Sequence, residues 1–551
     1  MKSIMLLFHK KTENHEAEEA GLRLSKRIPF TLSKALYLAL LFVLLIILML
    51  SIYSFFNPDM HYYQLDMSFK GLAIVLLLLF LISIYLVVRR VCNVEARLTT
   101  NDTKDKTERG KTALLISGNF SSNDMLLLFL IAFSIRLCFL LFYGNSIPPF
   151  SDFGWAHETA LGSPPHSRIE LFPSWAFFSL ILRFLYQYTI PHFLSAQLLN
   201  AVATSVTTAL IYVLAYRIGK NRDIALVAAT IFAFYPANII YNAILTPEHL
   251  AIFLSSIILL LLSNKQKSTT KHYINCGIAG IACAFMDYLK PIAMIIIIAY
   301  MIALILNNFI NNTSRRAYKV FLPVLFLLFP YFVSSFAIGL CTESALGIKF
   351  ADSSNTRAHF LYVGLQPSGE GQIHLGDNPT MYYYFLEQTD GDYSRAKEMT
   401  YDYLWKKIEE STKQFALLFP QKFRWAWQDD TVPSYYVWEE VHRNADTTAP
   451  RLLRISYEIL PTISQLFYIS LIALSAYGLV SILKKRFNFL LFMISLYCSG
   501  FIFLLLIIEA QSRYKCKIIL FLCILAAYGA KSLFKRINKK SQTIQSDASA
   551  N

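Results

Sequence analysis

Charged residues are scarce in this chain. They make up 16% of its 551 residues, and only 36 residues are acidic. Soluble globular domains carry about 25% charged residues, so an ordinary soluble protein is excluded. A hydrophobic content of 55% excludes a disordered chain as well. Glycine and proline are also few, 20 and 19 residues, which rules out collagen-like and low-complexity architectures. Of the eight cysteines, Cys138, Cys283, Cys498 and Cys523 lie within apolar runs, and the long hydrophilic segment holds only Cys341, near its start. Neither a disulfide framework nor a zinc knuckle is expected from that usage.

What the chain has instead is long apolar runs. Stretches such as 36–53, 71–88 and 487–508 each match the roughly 17–25 residues a helix needs to cross a bilayer. The first 30 residues are polar and charged, and the apolar run after them is too long for the core of a signal peptide, so no cleavable leader is expected. Candidate spans fall at about 33–54, 71–91, 124–143, 193–217, 223–241, 246–263, 272–289, 291–308, 318–340, 457–483, 487–508 and 514–534. The fold class expected is an all-α polytopic membrane protein of about 12–13 spans with a mixed extracytoplasmic domain.

The net charge of +15 does not point to nucleic acid, because the basic residues sit in clusters between apolar segments. Those clusters are Arg23/Lys26/Arg27, the loop 89–111, Arg217/Lys220/Arg222, Lys265/Lys267/Lys271, Arg315/Arg316/Lys319, Lys484/Lys485/Arg486 and the tail from Lys531. Placing them all in the cytoplasm lets the spans alternate, provided that 171–190 does not cross. That stretch carries Pro173 and Arg183 and is expected to lie along the outer interface, with Trp175, Tyr186 and Tyr188 at headgroup level. The organisation read this way is a tail and added hairpin (1–92), a cytoplasmic linker (93–123) and a membrane module (124–340) with an outer loop at 144–192. An extracytoplasmic domain (341–453), C-terminal spans (454–535) and a cytoplasmic tail (536–551) follow. Both termini are thus expected in the cytoplasm of a multi-pass cell-membrane protein.

This topology gathers ionisable residues on one face. Asp152 and Glu158 follow the third span, Glu248 opens a span, Asp287 and Lys290 flank the turn at Pro291, and Glu509 with Arg513 and Tyr514 joins the last two spans. A carboxylate held at the edge of hydrocarbon is costly, so Asp152 is expected to have a chemical role. Each residue also has a plainer reading. Asp152 suits a solvated helix end, Glu248 a first-turn acid favoured by the helix dipole, Lys290 a snorkelling lysine, and Glu509 with Arg513 an i,i+4 ion pair. The aromatic segments 423–427 and 435–438 suit interfacial anchors or a platform for a sugar face.

The pattern Ser-Asp-x-x-Trp-x-x-x-x-Ala at 151–160 resembles the first outer-loop motif of membrane glycosyltransferases with the GT-C fold. More narrowly, the chain is similar to the family 39-like group of protein mannosyltransferases and aminoarabinose transferases. The likeness continues through Leu199, Asn200 and Ala201, through Tyr235 and Pro236, and through Glu248, His249 and Leu250. It runs on through Leu289, Lys290 and Pro291 to Glu509-Ala510-Gln511-Ser512-Arg513-Tyr514, and the segments 362–371 and 421–430 resemble the outer domain of Gram-positive members. The match spans about 124–535.

The resemblance implies inverting transfer of a sugar from a polyprenyl phosphate, such as undecaprenyl phosphate, to an extracytoplasmic acceptor. It maps the catalytic aspartate onto Asp152. Protein mannosyltransferases have Asp-Glu at this point, whereas Phe153 follows Asp152 here, so protein O-mannosylation does not carry over. Asp152 is the expected general base, and Lys290 and Arg513 the cations for the departing phosphate. Glu248, Glu509, Glu158 and Tyr514 are expected to bind or orient substrate. No cofactor is expected to be required, and a divalent ion on these acids stays an open alternative. The expected partners are the lipid-linked sugar, the bilayer and a cell-envelope glycan, lipid or protein acceptor. A lipid-linked glycan flippase and an oligosaccharide ligase of related fold are the competing readings.

Overall fold

The computed structural model describes residues 31–57, 120–263, 269–310, 318–367, 381–444, 451–483, 485 and 487–550. Among these residues the secondary structure is helical throughout, with no strand. The expected span at 71–91 and most of the linker 93–123 lie outside the described residues.

Among the described residues, seven helices are long and apolar enough to cross a membrane. They are α1 (Thr31–Phe56), α2 (Ser122–Tyr143), α5 (Phe193–Gly219), α11 (Tyr318–Leu346), α17 (Arg451–Ile482), α18 (Phe489–Ile507) and α19 (Cys516–Ala550). Two shorter apolar helices, α8 (Glu248–Leu262) and α10 (Ala293–Ile310), stand with them, beside α9 (Thr269–Asp287). The all-α polytopic class stands, and among the described residues fewer helices meet the length of a span than the 12–13 expected for the whole chain.

One reason is a break. The stretch 223–241, expected as a single span, is two helices, α6 (Arg222–Ala233) and α7 (Pro236–Tyr241). Pro236 lacks an N–H and disfavours helical backbone before it, so α6 ends and its last carbonyls lose their partners. The buried Arg136 of α2 supplies new ones, donating to the carbonyls of Ala233 at 3.2 Å and Phe232 at 3.5 Å. A cation also suits the negative end of the α6 dipole.

The packing is dense where side chains are small. α17 and α19 cross with Gly478 and Gly529 at the contact. A Cβ on either would lie 2.0 Å from a carbonyl oxygen of the other helix, that of Leu525 or of Leu474. Only glycine permits that approach. α11 behaves differently. Phe329 and Phe336 are about 70% exposed, so this helix turns an apolar face outward, which is stable only against hydrocarbon.

Between α2 and α5 lie α3 (Ser151–Ala160) and α4 (Pro173–Tyr188). At 16 residues α4 is shorter than the roughly 17–25 residues of a span. Its aromatics are not all at the surface, however. Trp175 and Tyr186 are buried while Tyr188 is exposed, because one face of α4 packs inward on α3.

The insertion is helical among the described residues, not mixed. It comprises α12 (Ser353–Leu365), α13 (Met381–Gln388), α14 (Tyr393–Glu410), α15 (Thr412–Trp427) and α16 (Val432–Asn444). It has its own small core around Tyr362, Val363, Phe385 and Leu404. At the other end of the bundle, the N-terminus of α6 meets the C-terminal part of α19 and the first turn of α2. There Arg222 pairs with Asp124 at 2.7 Å and Lys531 with Asp223 at 2.9 Å.

Candidate active site

The opposite end gathers residues from distant parts of the chain. Glu248 is the first residue of α8, a position where the helix dipole favours an anion. Its carboxylate accepts a hydrogen bond from the Thr246 hydroxyl and pairs with the Lys290 ammonium at 2.9 Å. Glu248 is 1% exposed, so this pair is shielded from water. Lys290 does not snorkel: it lies in the turn between α9 and α10, with its ammonium 5.0 Å from the Trp175 ring.

That turn is rigid for a local reason. Asp287 accepts from the Ala293 backbone N–H at 2.6 Å and from the Tyr331 hydroxyl at 2.7 Å, which ties α9, α10 and α11 together. Asp287 thus braces the loop and Lys290 faces the site.

Arg513 lies in the 3-10 turn Ser512–Lys515 that opens α19. No ion pair joins it to Glu509. Instead Glu509 accepts from the Tyr514 hydroxyl at 2.7 Å and from the Gln511 amide at 2.5 Å, which stiffens the turn. The Arg513 guanidinium lies between 5.4 and 5.7 Å from the rings of Phe153, Tyr436 and Tyr514. A third cation, missed in the sequence, is Lys517, one turn on from Arg513. It is 5% exposed and stands 4.5 Å from the Tyr514 ring, without an acidic partner at ion-pair distance. Three cations (Lys290, Arg513, Lys517) therefore surround the Glu248 carboxylate in a buried setting, and only Lys290 is ion-paired to it.

Asp152 reaches this group through its neighbour. Phe153 packs between Arg513 and Trp175, its ring centroid 5.5 Å from that of Trp175. Asp152 itself is half-buried in the first turn of α3 and makes no hydrogen bond or ion pair among the described residues. The residue before it, Ser151, adopts φ +50°, a left-handed conformation that is strained for a side-chain-bearing residue. Glu158, on the last turns of α3, is exposed beside His157 and is not brought into the cluster. His157 bonds the Tyr186 hydroxyl at 2.8 Å, and burial holds its imidazolium below the usual range.

The insertion grips the Arg513 turn from two sides. Lys422 of α15 donates to the carbonyls of Gly364 at 2.5 Å and Ile508 at 2.7 Å. Gly364 must be glycine, since a Cβ there would stand 2.2 Å from the Ile507 carbonyl oxygen. Burial pushes the Lys422 ammonium down to about 7, against the pull of Glu509. On the other side, Lys515 pairs with Asp430 at 3.2 Å and donates to the Asp429 carbonyl, while the Tyr235 hydroxyl donates to Asp430. Burial raises the Asp430 carboxyl, and the Lys515 ammonium opposes that rise. The strap carrying Asp430 is anchored by Gln465, which accepts from the Asp430 N–H at 2.9 Å and donates to the Gln428 carbonyl at 3.0 Å. The carbonyl of the buried Trp427 accepts from Tyr468, so this aromatic is core and not a platform. Among the described residues no set of three or more His, Cys, Asp or Glu gathers as metal ligands.

Of the residues singled out from sequence, Glu248, Lys290, Arg513, Tyr514 and Glu509 come together, Asp152 adjoins them through Phe153, and Glu158 stays apart. Lys517, Lys515 and Asp430 were missed. The alternation of Arg513, Lys515 and Lys517 at the mouth of a buried apolar helix was the available signal, since cations there need a partner or a ligand.

Residues 179–341 match the family model described as dolichyl-phosphate-mannose-protein mannosyltransferase. The stretch runs from within α4 to the last turns of α11, and so includes Glu248 and Lys290 but neither Asp152 nor Arg513. The likeness to a family 39-like membrane glycosyltransferase, read from the motifs, is borne out by this match. No curated protein matches the chain.

Proposed function

We propose, with the mannosyltransferase match over 179–341 as premise, that this chain is an inverting glycosyltransferase. It moves a sugar from a polyprenyl phosphate to an acceptor of the cell envelope on the extracytoplasmic side. The observation that carries the reading is the group of buried cations Lys290, Arg513 and Lys517 around Glu248, with the nearby Glu509 carboxylate taken up by Tyr514 and Gln511 and neither Arg513 nor Lys517 in an ion pair. Buried cations without counter-charge are costly, and an anionic ligand removes that cost. A phosphate attached to a lipid fits both the charge and the position at the ends of apolar helices.

The chemistry then follows from placement. The acceptor hydroxyl oxygen attacks the anomeric carbon from the face opposite the phosphate. A carbon–oxygen bond forms there as the bond to the phosphate oxygen breaks, and configuration inverts. Asp152 takes the acceptor's proton, and the polyprenyl phosphate leaves as an anion. Arg513 offers two N–H groups to phosphate oxygens, while Lys290 and Lys517 act as point charges. Glu248 holds Lys290 in place, and Glu509 orients the Tyr514 ring against Arg513. The strain at Ser151 fits a carboxylate aimed by its backbone.

The test is sugar transfer from a polyprenyl-phosphate sugar by the purified Asp152→Asn protein. Turnover falls about 10²- to 10⁴-fold, the range for loss of a general base. Binding of the lipid phosphate, followed by its protection against thermal unfolding, stays unchanged. Wild-type turnover in a folded variant would remove Asp152 from this role.

A further inference from the structure

A small chamber adjoins Arg513. Tyr235, Asn238, Tyr241, Asp430, Arg513 and Ile519 line it, and its open space is about 330 Å³ with the mouth included. Its enclosed part has room for only a water-sized group or two.

Asn238 makes the chamber unusual. It lies on the short helix α7, is 4% exposed, and neither its side-chain oxygen nor its side-chain nitrogen has a hydrogen-bond partner. An amide without partners in an apolar interior is destabilising by amounts comparable to a lost core side chain, so such groups face something that bonds them. The break before Pro236 turns Asn238 into the chamber, where the Arg513 Nε also lacks a partner. The rest of the wall is fixed, because Tyr235 is committed to Asp430 and Asp430 to Lys515. The chamber thus offers donors and an acceptor to a group of hydroxyl size that enters beside the Arg513 guanidinium.

We propose that this chamber is the subsite that reads a hydroxyl or hydroxymethyl group of the donor sugar, with Asn238 as the specificity-determining residue. The inference rests on the phosphate-binding reading above, since it places the sugar next to the phosphate that Arg513 holds. A side-chain amide can donate to one oxygen and accept from one hydroxyl at once, a pairing suited to a polyhydroxylated ring and not to an alkyl chain.

The experiment uses the full chain in lipid nanodiscs, with binding read from ligand-dependent thermal protection. The probes are undecaprenyl phosphate and its mannosyl, glucosyl and galactosyl derivatives. The wild type is expected to bind one sugar-bearing lipid more tightly than the bare phosphate. In Asn238→Leu that advantage falls roughly 10- to 100-fold, as expected for loss of a buried hydrogen-bonded pair, while bare phosphate binds as before. Asn238→Asp keeps the size but loses the amide donors, and reorders the three sugars; it serves if the leucine variant does not fold. An unchanged preference in every folded variant, as from a chamber that merely holds water, overturns the proposal. A wild type that bare undecaprenyl phosphate does not protect sinks the cation-cradle reading itself, and the subsite with it.

Discussion

The two ends of the helix bundle use the same kinds of side chain in opposite ways. At one end Arg222 sits on Asp124, Lys531 on Asp223, and Arg217 on the Leu260 carbonyl at 2.6 Å. At the other, Lys515 is paired to Asp430, but Arg513 and Lys517 are left among aromatic rings. The first arrangement is what stability alone selects, because a buried charge without a partner is destabilising. The second is what a binding site looks like before its ligand arrives. The residues around it are also braced, by Asp287, Glu509, Lys422 and Asp430, so the unpaired cations are held in place instead of escaping to solvent.

The comparison can be broken most sharply by removing charges. Arg513→Met or Lys517→Met is expected to lower kcat/KM for a lipid-phosphate sugar roughly 10- to 100-fold, by loss of a charge-assisted bond to phosphate. The ligand-free Lys517→Met protein melts at or above the wild-type temperature, because an uncompensated buried cation has gone. Arg222→Met does the reverse. Activity per folded molecule is kept, and stability drops by about 1–2 kcal/mol, discounted from a buried pair because Arg222 is a third exposed. A destabilised Lys517→Met would end the contrast between the two ends.

A smaller effect sharpens the account of how the site end is held. The Lys422 ammonium titrates at about 7 in the fold, below its unfolded range near 10.5. The folded state therefore binds fewer protons than the unfolded chain between those values, and stability rises with pH across that window. Below about 7 both states are protonated and the full penalty of the buried charge persists. Thermal unfolding followed from pH 6.5 to 10 shows this rise in the wild type, and Lys422→Met flattens it. The smallest effect is expected at Glu158, which lies outside the cluster. Glu158→Gln changes kcat/KM by less than about twofold, as surface substitutions generally do, and a larger loss would place the acceptor path across α3.

Much of this was legible in the residues. The apolar runs announced a polytopic bundle, and the sidedness of the basic clusters was enough to place Asp152, Glu248, Lys290, Glu509 and Arg513 at one end. The break at Pro236 was written in the chain too, yet it was read as part of a span at 223–241, since hydropathy ignores backbone dihedrals. Trp175 was assigned to the lipid headgroups because an aromatic near an interface usually goes there. Its burial beneath Lys290 depends on α4 packing against α3, which no local pattern encodes. Lys517 went unnoticed because a lysine at the start of an apolar span reads as a membrane anchor, and its neighbour Phe501 comes from a different helix, α18.

Sequence by itself thus determined the class of molecule, its hydrophobic spans and the handful of acids and bases that mark one end, because hydropathy and charge are properties of the residues. Only the tertiary structure decided which of those charges are paired and which are not. Pairing depends on whether two side chains far apart in the chain come within about 4 Å of each other in a medium that excludes water. That is why Glu248 meets Lys290, Arg222 meets Asp124, and Arg513 meets only rings.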